Sequence, residues 1–474
     1  MKGMFDMSEK SKEEFKERRK AIMSESKHGV YRLSDEELKK CDEFCEDYKK
    51  FLEESKIERE FVINAVELLE KNGFVPYKRG MKLEAGTKIY QNNRGKAVIA
   101  AVIGKLPITE GIRLSAAHID SPRLDLKQHP LYEDNETAYF KTHYYGGIKK
   151  YQWTTIPLSL HGVVIKANGE TVKVAIGDKA EDPCFVITDL LPHLAVEQMS
   201  KKATAIVEGE QLNLLIGSRP FKDDEDSEAV KFRIMDILNK KYGITEDDFV
   251  SAELEAVPAY NPQDIGFDRS MIGAYGHDDK VCAYPELRAV IDVPNPEHTT
   301  VAVLTDKEET GSDGNTGLCS SYLSYFIDDL AAEFGAEGRH VKTASQCLSA
   351  DVNAAFDPNF PSVTEKRNCA YINKGVCVTK FTGSRGKSGT SDASAEFAGT
   401  VRRLLDKENV IWQTGELGKV DGGGGGTVAA YIANLDIDTI DVGVPVLSMH
   451  APFEVVSKID VYSAYKAFVV FNRS

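Results

Sequence analysis

The segments IRLSAAHID at residues 112–120 and VAVLTDKEE at residues 301–309 decide the fold class of this 474-residue chain. Each is a short apolar run that ends in side chains able to bind a metal. Similar runs alternate with helical patterns along the chain, which predicts an α/β fold: a mixed central sheet with helices on both faces. The predicted strands include 97–103, 112–117, 299–304, 345–349, 376–382 and 440–447, and the predicted helices include 317–333, 392–405 and 459–470.

The chain is predicted to begin with helices. Residues 8–28 have a charged helical pattern with few apolar positions, which indicates a surface arm or an assembly element. A firmer helix begins at Ser34, where Glu37 three residues later completes a capping box. A second helix is predicted to end at Gly73, a residue type that favours a helix C-terminus.

The middle of the chain has a different pattern. Two β-rich runs flank Asn168-Gly169, a turn signal for a β-hairpin, and a charged helical stretch follows near 227–241. We therefore predict one α/β domain interrupted by an inserted domain. Its parts are residues 1–131 (with the helical arm), an inserted β-rich domain at 132–254, and residues 255–474.

Composition restricts the classes of partner. Lys and Arg number 59 and Asp and Glu number 74, so the formal net charge is −15. Nucleic acid and anionic membranes need a basic footprint, so neither is expected as the main partner. The longest apolar run is far shorter than the ~20 residues of a membrane helix. The N-terminus lacks an apolar signal region and no CxxC pair occurs among the eight cysteines, which predicts a cytoplasmic protein without a disulfide framework.

Four apolar runs end in metal-ligand residue types. The runs lead into His118 and Asp120, into Glu308 and Glu309, into Asp351, and into His450. Because loops at the carboxyl ends of strands converge in open α/β sheets, these side chains are expected to meet and to bind Zn²⁺, or Mn²⁺ or Co²⁺. Each element alone has an ordinary explanation, since a single histidine is usually structural and a Glu-Glu pair is usually solvated. It is the combination that favours a site.

Local spacing adds detail to this hypothesis. Asp120 can orient the His118 imidazole from behind. Glu308 and Glu309 cannot point the same way from an extended segment, so one can bind metal while the other acts as a general base. Asp278 and Asp279, in a turn before a helical stretch, offer a further carboxylate, although a helix N-cap is the simpler explanation.

Five segments in order resemble the motifs of the aspartyl aminopeptidase and aminopeptidase I family, which are dinuclear zinc exopeptidases, and suggest a bacterial member. They are SAAHIDSPRLDLK (115–127), GHDDK (276–280), TDKEETGS (305–312), SADVNAAFDPNF (349–360) and SMHAPFEVVSKID (448–460). YGG at 145–147 and PHLA at 192–195 resemble the inserted domain of that family.

The resemblance implies two zinc ions per subunit, with Co²⁺ or Mn²⁺ as substitutes. One ion would be bound by His118 and Asp351, the other by Glu309 and His450, and Asp278 would bridge them, with Asp279 as the alternative bridge. Asp120 would orient His118, and Glu308 would take a proton from the metal-activated water. The resemblance also implies a homo-oligomer, a tetrahedral dodecamer, in which the inserted domain at 132–254 makes the dimer contacts and roofs the active site.

The predicted function is a metalloaminopeptidase that hydrolyses the N-terminal residue of peptides with a free N-terminus. Two alternatives remain at this stage. One is a dinuclear amidohydrolase or carboxypeptidase on the same fold, and the other is an oligomeric assembly protein with an unused site.

Three further signals leave the substrate side chain open. The run Gly422–Gly426 lacks the lysine of a phosphate-binding loop, so it predicts a permissive turn or a backbone wall of the substrate pocket. It departs from the aspartyl-specific pattern. Lys380 could pair with an acidic substrate, but it is displaced by one position from the basic residue of the family. His193 could reach a neighbouring active site, although a structural role is the simpler explanation.

Overall fold

The computed structural model of the protein describes residues 9–24, 26–179 and 181–474. Its α-helices are α1 (Glu9–Ile22), α2 (Asp35–Glu53), α3 (Glu58–Lys71), α4 (Val196–Ser200), α5 (Ala229–Tyr242), α6 (His277–Asp292), α7 (Tyr322–Glu333), α8 (Gly338–Thr343), α9 (Ala395–Lys407), α10 (Ala429–Ala433) and α11 (Lys458–Asn472).

The first ten strands are β1 (Val75–Pro76), β2 (Lys88–Asn93), β3 (Ala97–Val102), β4 (Arg113–His118), β5 (Arg123–Asp134), β6 (Thr137–Tyr145), β7 (Leu158–Ile165), β8 (Thr171–Ile176), β9 (Asn213–Gly217) and β10 (Ala252–Pro258). The remainder are β11 (Gln263–Ile265), β12 (Met271–Ala274), β13 (Thr300–Thr305), β14 (Gln346–Ser349), β15 (Asn353–Ala354), β16 (Val376–Thr379), β17 (Trp412–Thr414), β18 (Asp438–Gly443), β19 (Pro445–Leu447) and β20 (Glu454–Ser457).

The central sheet has the strand order β1-β2-β3-β13-β4-β14-β18-β16-β17. Its middle strands β13, β4, β14 and β18 are parallel, while β2, β3 and β16 introduce antiparallel pairs. The sheet is therefore mixed, which confirms the predicted α/β class. Parallel middle strands bring the carboxyl ends of β4, β13 and β14 to one edge, where the candidate ligands lie.

Helices cover both faces of this sheet, as the continuous burial of its strands β3 and β13 requires. Val98, Ala100 and Val102 of β3 pack in one hydrophobic cluster with α2, α3, α6 and α11, whereas Ile99 and Ala101 pack in another with α7. The N-terminal capping box is also present: the Ser34 side chain accepts from the Glu37 N–H, and Glu37 accepts from the Ser34 N–H. Local sequence and global packing thus agree.

The predicted strand over 440–447 is wrong in one respect, because it is two strands in two different sheets. Gly443 ends β18, where a Cβ would lie against the carbonyl oxygen of Asp351, and Pro445 begins β19 without an N–H to continue the ladder. Strand β19 joins a third sheet of order β11-β12-β20-β19-β15. This small sheet, which the sequence pattern did not predict, supports the loop that carries His450.

A six-stranded antiparallel sheet of order β8-β7-β10-β5-β6-β9 lies in the middle of the chain and has its own hydrophobic cluster. The predicted hairpin turn Asn168-Gly169 joins β7 and β8. Strands β5 and β10 extend across the limits chosen for the inserted domain, 132 and 254. The division into domains stays a prediction.

Buried ion pairs connect this sheet to α3. The His161 ring of β7 is 1% exposed and lies between two carboxylates, with Nδ1 2.7 Å from Glu60 Oε1 and Nε2 3.1 Å from Asp178 Oδ2. Arg123 of β5 contacts the buried Glu58 carboxylate at 3.5 Å. Since charges removed from water must be paired, these contacts fix how α3 sits on the sheet.

Three other sequence expectations can be compared with the structure. Helix α1 covers most of the predicted arm at 8–28, and its described side chains are exposed; residues 8 and 25 lie outside the described residues. All eight cysteines lie in described ranges as free thiols, six of them buried. Within the described part of the chain, no helix has the length and apolar character that crossing a bilayer requires.

Candidate metal centre

Two groups of metal-ligand side chains meet at the carboxyl edge of the central sheet. His118, Asp278 and Asp351 form one group, and Asp278, Glu309 and His450 form the other, with the ligand atoms of each group within 4.8 Å of one another. His118 Nε2 lies 3.1 Å from Asp278 Oδ1, and His450 Nε2 lies 3.2 Å from Asp278 Oδ2. Asp278 thus offers one oxygen to each group, as a bridging carboxylate does.

The strand register explains why three of these elements converge. His118 is the last residue of β4 and pairs with Thr305, the last residue of the parallel strand β13. On the other side of β4, Ala116 pairs with Ser349, the last residue of β14, and Asp351 follows two residues later. The ligands are therefore delivered side by side by three neighbouring strands.

Glu308 and Glu309 lie in a 3₁₀ turn, Glu308–Thr310, that begins after Lys307 with a positive φ of 70°. The segment is therefore not extended as the sequence argument assumed, but the two side chains still diverge. Glu308 Oε2 is 3.8 Å from His118 Nε2, whereas Glu309 Oε1 is 3.7 Å from His450 Nε2. One glutamate faces each group.

The position of Asp278 is fixed by backbone contacts at the start of α6. The Ser121 hydroxyl donates to the Asp278 carbonyl at 2.7 Å, and the buried Lys280 ammonium donates to Ser121 Oγ at 2.7 Å. The Asp278 N–H donates to Glu454 Oε2 at 3.0 Å. Asp279 is fully buried and belongs to neither ligand group. This geometry favours Asp278 over Asp279 as the bridge.

Asp120 is buried behind His118 and joins several parts of the centre. Its Oδ1 lies 3.3 Å from His118 Nδ1, and its two carboxyl oxygens accept from the N–H groups of Glu308 and Glu309, each at 3.2 Å. The Tyr145 hydroxyl donates to Asp120 Oδ2 at 2.8 Å. One carboxylate therefore contacts both the His118 imidazole and the turn that carries the two glutamates, and the Asp120 carbonyl lies 3.1 Å from the same His118 Nδ1.

The segment Tyr145-Gly146-Gly147, at the end of β6 in the six-stranded sheet, contacts both halves of the centre. Besides the Tyr145 contact with Asp120, the Gly147 carbonyl lies 2.8 Å from His450 Nδ1 and orients that ring. A Cβ on Gly146 would lie 3.0 Å from Glu309 Oε2, so a side chain there would crowd the glutamate. The YGG resemblance marked this segment, but not its contacts.

Like Asp120, the Glu454 carboxylate supports the centre, but sequence reasoning missed it. It is buried, and its Oε1 accepts from the His450 N–H at 2.7 Å while Oε2 accepts from the Asp278 N–H. It lies four residues after His450, in the SMHAPFE motif. That proximity to a candidate ligand was the available signal.

The candidate ligands include more carboxylates than the positive charges around them can keep ionised, and their pKa values show this. Burial and neighbouring negative charge raise the pKa of the Glu309 and Asp351 carboxyls well above their usual range. Burial opposes the charged form of Asp278, but hydrogen bonds from His118 and His450 hold its pKa below its usual range. Burial likewise opposes protonation of His450, yet Asp278 and Glu309 raise its pKa to about 10. Added positive charge would let all these carboxylates ionise.

The donors fit divalent cations. Each group combines one imidazole nitrogen with carboxylate oxygens, a set that suits Zn²⁺ and also Mn²⁺ or Co²⁺. Glu309 Oε1 is buried without a hydrogen-bond partner among the described residues, which is costly for a carboxylate unless a cation is its partner. Burial raises the pKa of Glu308, which is in neither group, to about 7, with Asp120 adding to the effect and His118 opposing it.

A cavity of about 500 Å³ opens beside this cluster and is lined by Asp278, Glu308, Glu309, Asp351 and His450 together with residues of the glycine run. Gly424, Gly425 and Gly426 form part of its wall. Lys380 is not in the lining, and its ammonium lies 2.6 Å from Asp392 Oδ1. His193 lies in an exposed 3₁₀ turn, outside that lining.

Similarity to known proteins shows the family of this chain. The family model for aminopeptidase I zinc metalloprotease (M18) matches residues 51–472. The probable M18 family aminopeptidase 1 of Clostridium acetobutylicum is 48% identical over 458 residues, which cover 95% of this chain and 98% of the relative. The crystal structure of an M18 aminopeptidase from Thermotoga maritima has a TM-score of 0.92 at 43% identity, covering 95% of this chain and 100% of that one. The structure of the S. cerevisiae mApe1 dodecamer has a TM-score of 0.73 and covers 90% of this chain and 95% of that one. Because it is only 19% identical, it supports the fold alone.

The fold and the ligand cluster define a metal-dependent hydrolase built on a mixed α/β sheet. More particularly, the chain belongs to the M18 family of aminopeptidase I zinc metalloproteases, as its sequence motifs indicated. It is a zinc aminopeptidase, which confirms the predicted class of enzyme.

Proposed function

We propose that this aminopeptidase uses two metal ions per subunit, zinc first and Co²⁺ or Mn²⁺ as substitutes. His118 and Asp351 would bind one ion, Glu309 and His450 the other, and Asp278 would bridge them. The observation that carries this proposal is the position of Asp278, whose two oxygens lie 3.1 and 3.2 Å from the two histidine rings. Asp120 would act through His118 by orienting its ring.

When bound, the two cations polarise the scissile carbonyl and lower the pKa of the attacking water. Glu308 would accept the proton of that water, and this role is supported by its carboxylate, which lies 3.8 Å from His118 Nε2 and belongs to neither ligand group. The same carboxyl group then donates the proton to the leaving amine. The free amino group of the substrate would bind near the carboxylates of this centre, which would restrict cleavage to the first residue.

A substrate panel tests the proposed reaction. The purified enzyme with added Zn²⁺ is assayed on aminoacyl anilides and on N-acyl amino acids. We expect cleavage of the aminoacyl substrates only. Cleavage confined to the acylated substrates would instead identify an amidohydrolase or carboxypeptidase, and no cleavage with any metal would indicate an unused site.

Glu308→Gln tests the general base. The amide keeps the shape of the side chain but cannot take a proton, so we expect unchanged zinc content and a fall in kcat of about 10²-fold or more. Zinc content is measured by elemental analysis of the same sample. Turnover close to that of the parent enzyme would refute the assignment.

The assembly, the compartment and the domain division are also part of the proposal. A cluster of exposed apolar side chains in the middle of the chain, including Leu194 (69% exposed), Val196 (76%) and Met199 (70%), is suited to a contact between subunits. We propose a homo-oligomer, a tetrahedral dodecamer, in which residues 132–254 are an inserted dimerisation domain that roofs the active site. The cysteine usage supports a cytoplasmic location. Light scattering would measure the mass of the assembly, and a monomer would contradict it.

A further inference from the structure

Lys280 is a buried lysine for which the proposed reaction has no use. Three of the described lysines, Lys56, Lys280 and Lys458, are buried, and Lys280 is the most buried of them at 1% exposed. Lys56 and Lys458 pair with aspartate carboxylates at 3.0 and 3.1 Å, as buried charges require. Among the described residues, Lys280 has no such ion pair, and its Nζ makes one hydrogen bond, to Ser121 Oγ at 2.7 Å. A structural ion pair therefore does not explain this lysine.

The hydrogen bonds that lead from Lys280 to Asp278 run in one direction. A carbonyl oxygen can only accept, so the Ser121 hydroxyl donates its single hydrogen to the Asp278 carbonyl, 2.7 Å away. Ser121 Oγ can then only accept from Lys280 Nζ. Because an amine nitrogen has hydrogens whether or not it is charged, this direction does not depend on the protonation of Lys280. Two linked hydrogen bonds in a buried place also strengthen each other.

The backbone of Asp278 is held on both sides of the carboxylate that is proposed to bridge the metals. Although Asp278 is in the first turn of α6, its ψ of 105° is outside the helical range. Its N–H donates to Glu454 Oε2 at 3.0 Å, and its carbonyl accepts from Ser121. The side chain, which lies between the His118 and His450 rings, leaves the backbone between these two contacts. Without the contact at the carbonyl, the carboxylate could turn away from the rings.

Gly276 leaves the space in which Lys280 and Ser121 meet. Its φ is 75°, and a Cβ there would lie 2.8 Å from Lys280 Nζ and 3.0 Å from Ser121 Oγ. The Tyr275 ring lies 5.5 Å from Lys280 Nζ, and the Tyr275 hydroxyl donates to the Pro122 carbonyl at 3.0 Å. The first and last residues of the GHDDK motif, which the ligand assignment does not use, therefore lie together against the segment that follows His118.

The charge of Lys280 does not explain its place beside a metal centre. Burial lowers the pKa of Lys280 to about 8, while nearby carboxylates, including those of Asp120 and Glu58, oppose the shift. A positive charge at this place repels bound cations. A role in favour of metal binding therefore falls to the hydrogen bond with Ser121.

We propose that Lys280 and Ser121 are positioning residues of the zinc centre. Lys280 holds the Ser121 hydroxyl, Ser121 holds the Asp278 carbonyl, and the carboxylate of Asp278 is thereby fixed between the two histidine rings. The proposal rests on the bridging role proposed for Asp278 and adds two residues that act through it.

Ser121→Ala tests this chain of contacts without changing any charge. Zinc affinity of the full-length protein is measured by competition with a chromophoric chelator, and the ligand geometry is followed by the visible absorption of the Co²⁺-loaded protein. We expect zinc affinity to fall by about tenfold or more and the Co²⁺ absorption to shift. An affinity and a spectrum equal to those of the parent would overturn the proposal. A parent protein that binds neither ion would instead count against the proposed metal centre.

Lys280→Met tests whether the lysine acts through Ser121. Methionine has a similar length but no hydrogen to donate, so the Ser121 hydroxyl is free to turn away from Asp278. We therefore expect Ser121→Ala to lower zinc affinity by only about threefold or less when Lys280→Met is already present. An equal effect of Ser121→Ala in both backgrounds would show that the two residues act independently and would overturn the role of Lys280. Lys280→Leu serves in the same comparison should Lys280→Met not fold.

Lys56→Met is the matched control for loss of a buried lysine. Lys56 is 5% exposed, and its carboxylate partner, Asp178, is not part of the metal centre. We expect this variant to have a lower melting temperature, since it leaves a carboxylate unpaired, but the zinc affinity and Co²⁺ absorption of the parent. If Lys56→Met changed both metal readouts as much as Lys280→Met does, the effect would be one of general stability and the proposal would be overturned.

Discussion

Tyr145→Phe is the change that tests most directly how the six-stranded sheet supports the metal centre. The Tyr145 hydroxyl donates to Asp120 Oδ2 at 2.8 Å, and its ring lies 3.8 Å from the Arg123 guanidinium. Phenylalanine keeps the ring and its packing on Arg123 but removes the donor. Asp120 then loses one of four polar contacts while the remaining three still hold it beside His118.

The magnitude follows from the burial of Asp120, which is 0% exposed. A hydrogen bond to a charged group contributes about 1.5–3 kcal/mol, and no water is at hand to replace it at a buried oxygen. Loss of such a support behind a metal ligand typically costs about 10–100-fold in metal affinity or activity. We therefore expect a loss of this size in kcat and in zinc affinity, with little change in KM.

The assay has two independent readouts. Zinc affinity is measured by competition with a chromophoric chelator, and kcat and KM are measured on a leucyl anilide at saturating zinc. Tyr144→Phe is the matched control, because Tyr144 is the preceding residue on the same strand and its side chain is 41% exposed. If Tyr145→Phe and Tyr144→Phe both retain the zinc affinity and kcat of the parent enzyme, the proposed support through Asp120 is refuted.

Two further predictions concern the bridging residue and the link to α3. Asp278→Asn should abolish binding of both zinc ions, because Asp278 belongs to both ligand groups, whereas Asp279→Asn should retain both ions. Elemental analysis of the zinc content distinguishes the two variants. The reverse result would make Asp279 the bridge. His161 is buried, which opposes its charge, but its two carboxylate neighbours raise its pKa to about 9. Its stabilising effect is therefore complete below pH 6.5, the pKa of an unperturbed histidine, and is lost as the pH rises through about 9, an effect of at most about 3 kcal/mol. The difference in unfolding free energy between the parent and His161→Gln should shrink over that interval, and a difference that stays constant with pH would contradict the pKa shift.

The parts of the fold that could be predicted from sequence depend on local patterns. The capping box at Ser34 and the buried strands β3, β4 and β13 follow from neighbouring residues alone. The break between β18 and β19 does not, because either half fits a strand and only the pairing partner differs. Pro445 was the local signal that a single ladder could not continue through this segment.

The candidate site shows the same division. Most of the candidate ligands were visible because they follow apolar runs, and parallel strands bring such ends together, whereas Asp278 was suggested only by its position in a turn before a helical stretch. The contacts of Tyr145 and Gly147 were not identified, because they join different sheets and carry no sequence period. Glu454 was missed although it lies only four residues after His450. Tyr145 ends a strand of the six-stranded sheet, and Asp120 follows a strand of the central sheet. Their contact depends on how the two sheets pack together, and no local sequence pattern specifies that packing.

The metal centre lies where three sheets meet, and this location has an energetic consequence. Strands β4, β13 and β14 of the central sheet lead to His118, Glu309 and Asp351. The small third sheet supports the loop of His450. The Gly147 carbonyl, at the end of a strand of the six-stranded sheet, orients the His450 ring. The ligand geometry is complete only when all three are packed together. Cations that bind this geometry and not the separated parts stabilise the packing itself, so their binding free energy contributes to the folding of the whole chain. The excess of buried carboxylate, unfavourable without bound cations, is the physical basis of that coupling.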